Sequence, residues 1–433
     1  MARIVLTTFG SWGDLFPLLG LGHELAARGH TPVFAVTPAG EELIHGEGFE
    51  FAPVGPHFGF EEYRDHLAIL DGRLRGAASL FSIMRRIAMP HLNGAVDDLG
   101  RAIGGADLVL THPVQLAGPI ASEAAGVRWA TVSVFPGLLP TAHFPPQFLP
   151  WTPPGVIGRI ANRAGWAAGR AVTFGLFNRG INAARKRVGL APLRQAFIEQ
   201  SAAPLGVLVL CSPAYEPIPP DWPSNVVTTG FVRFDRPTAL GMPDDVAEFL
   251  AAGPPPVVVT LGASSALDPG TFWDDAVAAL DERNQRAVFL VARDEHRTGR
   301  LADRDGVWAY VPLSALLPHA KGVMHHGGFG TMVETIHAGV PSVTVPRAFD
   351  QMHHADRLRQ LGVGVTVPWA RFTQKRLGAA LDQMLTSPTM AARAQQFAAT
   401  LALEDGTRRA GDAVEALLEA PHSSSSATRR SAS

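Results

Sequence analysis

Short aliphatic runs recur along this chain, each closed by a turn rich in glycine or proline and followed by residues at helical spacing. That alternation restricts the fold more than any other feature. Arg3-Ile4-Val5-Leu6-Thr7-Thr8 is the first run, and residues 10–17 turn the chain. Leu15, Leu18, Leu19 and Leu25 then fall on one helical face, and Gly29 ends the helix. Residues 31–36 and 51–54 repeat the strand pattern, and further runs stand at 108–111, 129–134, 206–211 and 226–228. A second series begins with Pro256-Val257-Val258-Val259-Thr260-Leu261 and continues at 287–291, 308–311, 322–325, 342–345 and 364–367, with helices closing the chain from about 373 to 419. Strand–helix alternation predicts parallel sheets covered on both faces by helices. Two consecutive series predict an α/β chain of two Rossmann-like, doubly wound domains facing across a cleft.

The 433 residues suffice for about two or three domains with cores of their own. The predicted division is an N-terminal domain over 1–229, a linker over 230–244 and a second domain over 245–405. A helix over 406–420 packs back toward the first domain, and the Ser-rich 421–433 forms a disordered tail. A net charge of -2 gives nucleic acid and anionic membrane no electrostatic reason to bind, so membrane contact is at most peripheral. The single cysteine, Cys211, excludes an intrachain disulfide framework and makes a reducing cytoplasm the expected compartment. Residues 1–9 are too short for a secretory apolar core, and no apolar run approaches bilayer length.

The chemistry concentrates at His325-His326-Gly327-Gly328-Phe329-Gly330-Thr331-Met332-Val333-Glu334. A buried strand entering a glycine-rich turn and then a helix aims backbone N–H groups at an anion. The helix dipole adds roughly half a positive charge there. Glycine lets a diphosphate approach the backbone with no Cβ in the way. Residues 10–17 occupy the corresponding place after the first strand, outside the carboxyl end of a parallel sheet, where such folds bind ligands. That turn lacks the third glycine of a dinucleotide fingerprint, which argues against a dehydrogenase.

Pro312, His326, Gly328, Thr331, Glu334, Gly339-Val340-Pro341, Pro346 and Asp350-Gln351 together resemble the nucleotide-sugar signature of inverting UDP-glycosyltransferases with the GT-B fold. Glu334 lies 8 residues after His326, and Asp350 lies 16 after Glu334. Gly10-Ser11-Trp12-Gly13-Asp14-Leu15-Phe16-Pro17 is similar to the bacterial and sterol branch. Asp221-Trp222-Pro223 and Thr229-Gly230-Phe231 resemble lipid rhamnosyltransferases and similar bacterial enzymes, among them antibiotic glycosyltransferases. Nearly the whole chain is covered. The resemblance implies that His326, Gly327, Gly328, Gly330 and Thr331 hold the diphosphate of a UDP- or TDP-sugar. Glu334 then takes the ribose, and Asp350 and Gln351 the sugar hydroxyls. Gly262, Ser264, Tyr310 and Val311 complete the donor site, with Tyr310 over the nucleobase and neighbouring Trp308 in the core.

The residues suit these roles chemically. A carboxylate accepts two hydrogen bonds from a ribose diol. Imidazole, hydroxyl and backbone donors can meet the charge on a departing diphosphate, so neither a metal nor a bound cofactor is required. A metal reading of His325-His326 with His353-His354 lacks a carboxylate-rich surround, and His325 reads as a packing residue.

The acceptor hydroxyl needs a general base. In many relatives a histidine follows the glycine of the first turn, and an aspartate at the end of a later strand orients it. Here Asp14 holds the histidine's place and His112 the aspartate's, so the pair is exchanged. Either Asp14 is the base, or His112 is the base with Asp14 orienting it. Asp14 also suits the first turn of a helix in a purely structural role. Serine often follows the first glycine of the second series in relatives. Here Gly262-Ala263-Ser264 leaves phosphate contact to Ser264, Ser265 or the backbone N–H groups of 262–264.

An apolar acceptor such as a lipid, polyketide, terpenoid or flavonoid fits residues 58–92 and 135–166, which contain Phe60, Leu70, Phe81, Met84 and Phe144. The aromatic-rich 135–166 equally suits a loop packed by its own rings. The expected activity is metal-independent, inverting transfer of a hexose or deoxyhexose to a hydroxyl. Its rivals are a GT-B enzyme that alters the nucleotide sugar itself, as an epimerase does, and a non-catalytic sugar-nucleotide-binding partner.

Overall fold

A computed structural model describes residues 1–9, 12–57, 77–146, 149, 155–234, 241–262, 269–292 and 297–420. Gly10, Ser11, Phe60, Leu70, Ser264, Ser265, the middle of the linker and the Ser-rich tail lie outside the described residues.

Among those residues, thirteen strands form two sheets. In the first, β1 (Arg3–Thr7), β2 (Thr31–Val36), β3 (Glu50–Pro53), β4 (Leu108–Thr111), β5 (Trp129–Ser133), β6 (Val207–Val209) and β7 (Val226–Thr228) run in the order β3-β2-β1-β4-β5-β6-β7. The second sheet contains β8 (Val257–Thr260), β9 (Ala287–Leu290), β10 (Val307–Trp308), β11 (Gly322–His325), β12 (Ser342–Thr344) and β13 (Gly364–Thr366). Its order is β10-β9-β8-β11-β12-β13. Every pairing is parallel.

Successive side chains of each strand enter different cores. Ile4 and Leu6 join Phe34, Leu108 and Leu110 on one face of the first sheet, while Val5 joins Val33 and Val109 on the other. In the second sheet Val257 and Val259 separate from Val258 in the same way. Burial on both faces is why these strands read in the sequence as unbroken apolar runs.

Each order reverses once, between β1 and β4 and between β8 and β11. A doubly wound sheet opens a crevice at such a reversal, outside the carboxyl ends of the strands. Register places Thr7 beside Thr111 and Thr260 beside His325. The segments leaving those four residues carry Asp14, His112, Gly262 and His326.

The halves dock through an apolar cluster drawn from both. Phe329, Met332, Val333 and Ile336, at helical spacing on the helix Phe329–Ala338, meet Val134, Phe135, Val209 and Tyr215 of the first half and Phe231 of the linker. Two chain crossings between the halves lie against each other. A Cβ on Gly230 would stand 2.9 Å from the Gly406 Cα, and one on Gly406 would stand 2.3 Å from the Phe231 carbonyl oxygen. Beyond that crossing, the helix Gly406–Glu419 packs on the first half. Ala410 and Val414 enter its core, and Arg28 reaches Asp412 at 2.8 Å and Glu415 at 2.6 Å.

The stretch 135–166 differs from a loop. Its end forms part of the helix Val156–Thr173, which carries Trp166, whose indole donates to the Phe144 carbonyl at 3.1 Å. Asp221 ties the non-helical part down by accepting from the Thr141 hydroxyl at 2.6 Å and the Ala142 N–H at 2.8 Å. No helix among the described residues is long and apolar enough to cross a membrane.

Candidate active site

The first crevice brings together the two groups that the sequence separates by 98 positions. Asp14 lies in the first turn of the helix Trp12–Ala27, and His112 follows β4. The His112 Nε2 stands 3.7 Å from the Asp14 Oδ1, with side-chain exposures of 6% and 23%. Burial pushes the His112 imidazole down to about 3, so a neutral ring faces the carboxylate. The Val114 N–H donates to Nδ1 at 3.5 Å, which places the ring proton on Nε2, toward Asp14. In this tautomer the Nε2–H of His112 points toward the Asp14 carboxylate, and Asp14 is the more accessible of the two.

The second crevice holds the glycine turn. His326 is 6% exposed, and glycines approach its ring from two segments. A Cβ on Gly328 would lie 2.2 Å from Nε2, and one on Gly262 would lie 2.6 Å from Cε1. Gly327 has φ +89°, and a Cβ there would lie 2.9 Å from the Gln351 carbonyl oxygen. The sequence needs glycine at these positions so that ring and backbone can lie this close. The helix Phe329–Ala338 starts at Gly328 without a side-chain cap, so no capping side chain takes up its first N–H groups. Gly330 is exposed and Thr331 half-buried in that first turn.

Burial holds the His326 ring down to about 4 despite the opposing Asp350 charge, and its buried Nδ1 has no partner among the described residues. A neutral imidazole with an unused nitrogen suits hydrogen bonding to an anion. His325 is fully buried, and its Nδ1 accepts from the Gly327 N–H at 3.1 Å, which shapes the turn. The Gly262 N–H donates to the Thr260 hydroxyl at 3.1 Å, so it is already engaged within the protein.

Three expected donor residues have protein partners that the sequence did not reveal. Glu334, 8% exposed, accepts from Arg233, whose Nε lies 3.0 Å from Oε1 and whose Nη2 reaches Oε2. The Gln351 Oε1 accepts the backbone N–H groups of Arg347 and Ala348 at 2.9 and 3.1 Å and folds the loop before its own helix. Asp350 Oδ2 lies 3.2 Å from His354 Nε2. Burial works against the Asp350 charge, but the His354 hydrogen bond and further local interactions outweigh it and hold the carboxyl below its ordinary range. The i,i+4 spacing of Asp350 and His354 was a usable signal; nothing local marks Arg233.

Tyr310 is 47% exposed and Val311 fully buried. Trp308 packs edge-on against Phe249 and donates to Asp245 at 2.6 Å. Met84 is fully buried in the core and Phe144 3% exposed against Trp222, while Phe81 is half-buried against Phe177. Among the described residues, Met84 and Phe144 therefore pack the interior. No group of His, Cys, Asp or Glu among the described residues is arranged to hold a metal.

Two parallel sheets each reverse their order once, with Asp14 and His112 at one reversal and the His326 turn at the other. Residues 275–411 match the family described as erythromycin biosynthesis protein CIII-like, C-terminal domain. The O-mycaminosyltylonolide 6-deoxyallosyltransferase of Streptomyces fradiae is 30% identical over 418 residues, 94% of this chain and 96% of that one. A sterol 3-beta-glucosyltransferase of Arabidopsis thaliana is 26% identical over 427 residues, 95% of this chain and 67% of its own. The solved structure of the glycosyltransferase VinC in complex with DTDP superposes with a TM-score of 0.68 at 22% identity, covering 96% of this chain and 99% of that one. The chain belongs to the nucleotide-sugar-dependent glycosyltransferases that include antibiotic glycosyltransferases and sterol glucosyltransferases.

Proposed function

We propose that this enzyme transfers a hexose or deoxyhexose from a UDP- or TDP-sugar to a hydroxyl of an apolar small molecule, with inversion and without a metal ion. The observation that carries this reading is the placement of Asp14 with His112 at one sheet reversal and of the His326 turn at the other. Asp14 takes the acceptor proton as the acceptor oxygen bonds to the anomeric carbon and the bond from that carbon to the diphosphate oxygen breaks. His112, whose Nε2 faces the carboxylate at 3.7 Å, positions Asp14. The leaving diphosphate gathers its negative charge beside His326, the Thr331 hydroxyl and the first turn of the helix Phe329–Ala338. Those donors offset the charge that a metal offsets elsewhere.

Glu334 holds the ribose, and Asp350 and Gln351 the sugar. Tyr310 and Val311 lie toward the base. Gln351 contributes mainly by shaping the loop, since its amide oxygen is bonded to the backbone. A macrolide or sterol-like acceptor is favoured, in keeping with the relatives named above, and the DTDP complex of VinC supports a TDP donor. The lone, buried Cys211 is in keeping with a reducing, cytoplasmic setting.

The test is a mass-spectrometric screen of UDP- and TDP-sugars against pooled macrolide aglycones, sterols and hydroxylated lipids, with the anomeric configuration of any product assigned by NMR. A glycoside of inverted configuration, formed by enzyme treated with chelator, is expected. Conversion of the nucleotide sugar without glycoside would establish an epimerase-like activity instead, and binding without turnover a non-catalytic partner.

A further inference from the structure

The sugar-binding carboxylate assigned to Asp350 is the end of a buried hydrogen-bonded chain that starts in the other half of the molecule. Tyr215, on the segment that follows β6, puts its hydroxyl 2.9 Å from His354 Nδ1. His354, on the helix Gln351–Leu361, puts Nε2 3.2 Å from Asp350 Oδ2. The Tyr215 and His354 side chains are fully buried. Burial above all raises the Tyr215 phenol well above its ordinary range, so its oxygen keeps the proton. An ionised carboxylate only accepts, and a phenol O–H facing Nδ1 can donate. One arrangement satisfies all three groups: Tyr215 donates to Nδ1, and the Nε2–H of His354 donates to Asp350.

The surroundings fix the same pieces. The Phe135 ring stands edge-on to the His354 ring at 4.9 Å between centroids, and the Arg357 guanidinium donates to the Tyr215 carbonyl. Next along the helix, His353 pairs with Glu216 at 3.0 Å across the same junction.

We propose that Tyr215 and His354 are positioning residues for the donor sugar, holding one oxygen of Asp350 so that the other is presented to a sugar hydroxyl only when the two halves are in register. This rests on the donor-site reading of Asp350. It gives the first half a part in choosing the donor, beyond binding the acceptor. The hydrogen bonds of this chain end on Asp350, while the diphosphate turn meets it through ring packing, Phe329 to His354 at 5.7 Å between centroids, so its first effect falls on the sugar.

The test compares, by titration calorimetry, binding of the matching nucleoside diphosphate with binding of TDP-rhamnose, TDP-glucose or UDP-glucose, whichever the native enzyme binds best. Asp350→Asn reports on the donor-site reading itself. Tyr215→Phe keeps the buried ring and removes only the hydroxyl, and His354→Leu breaks the chain at its middle. His354→Gln can both donate to Asp350 and accept from Tyr215. The native enzyme should prefer the nucleotide sugar. Tyr215→Phe and His354→Leu should narrow that preference by roughly 5–10-fold, raising KM for the donor more than they lower kcat, with diphosphate affinity unchanged. His354→Gln should recover part of the preference. If Asp350→Asn abolishes the preference while Tyr215→Phe and His354→Leu keep it, the positioning role is overturned and the donor-site reading stands. If Asp350→Asn keeps the preference, both fall. Equal weakening of diphosphate and nucleotide sugar would show that the chain only holds the halves together, and would also overturn the proposal.

Discussion

Replacing Gly328 with alanine tests the central claim about the donor turn, because the backbone there has an ordinary conformation and only the new Cβ matters. Gly328 has φ −63° and ψ 146°, which any residue can adopt. An alanine Cβ would lie 2.2 Å from His326 Nε2, whereas ordinary contact begins at 3.4 Å. The ring or the turn must therefore move by 3.4 − 2.2 = 1.2 Å. The ring has little room to yield, since Gly262 already approaches its Cε1 so closely that a Cβ there would lie 2.6 Å away. Overpacking of this kind costs about 1–3 kcal/mol of stability. Loss of glycine at the helix N-cap adds at most roughly 1 kcal/mol. The functional cost should be larger in effect, because a misplacement of about 1 Å in a group that stabilises the transition state lowers the rate about 100-fold, near 2.7 kcal/mol of barrier. The assay is steady-state glycoside formation, with diphosphate affinity and thermal unfolding measured on the same preparation. Expected are a folded protein with a slightly lowered Tm, weakened diphosphate binding and a loss of about 100-fold in kcat/KM. A variant that keeps native diphosphate affinity and kcat/KM would refute the role given to the His326 ring.

Asp14→Asn should lower kcat about 10²–10⁴-fold while diphosphate affinity and Tm hold, whereas lost stability with native turnover would reduce Asp14 to a helix-start residue. Glu334→Ala removes a charged acceptor and should weaken binding of TDP or UDP by about 10–100-fold in calorimetry; unchanged affinity would show that Glu334 serves contacts within the protein and not the ribose. Gly406→Ala forces a Cβ to within 2.3 Å of the Phe231 carbonyl oxygen and 2.6 Å of the Gly230 carbonyl carbon, so scanning calorimetry should record destabilisation of about 1–3 kcal/mol. For pH, burial holds His112 and His325 at about 3 and His326 at about 4 in the folded chain, below their unfolded value of 6.5. Between those limits the unfolded chain binds more protons, so stability is full above about pH 6.5 and lost as pH falls toward 4. A Tm that does not fall between pH 6.5 and 5 would contradict the burial of these rings.

The strands were legible because parallel strands covered on both faces must be apolar at nearly every position, and β2, β4, β7 and β11 have the expected bounds. The glycine turn at His326 was legible for a related reason. Gly327 and Gly328 are forced by close approach of backbone and ring, and such positions leave glycines in the sequence. The end of the 135–166 stretch was not legible, because prolines and aromatics obscured the helical spacing that begins at Val156. Met84 and Phe144 show a further limit, since an apolar residue has the same composition signal in a core as in an acceptor pocket. Packing, not pattern, separates the two.

Local chemistry, written along the chain, determined the two sheets and the glycine turn. The partners of the functional groups were decided by tertiary structure alone. Arg233 meets Glu334 across 101 positions, and Tyr215 meets His354 across 139. No spacing rule reaches that far. Such pairs form only when the helix Phe329–Ala338 lays its apolar face against Val134, Phe135, Val209 and Tyr215. Docking is set by the summed burial of many side chains, so the sequence fixes it collectively and shows it at no single residue.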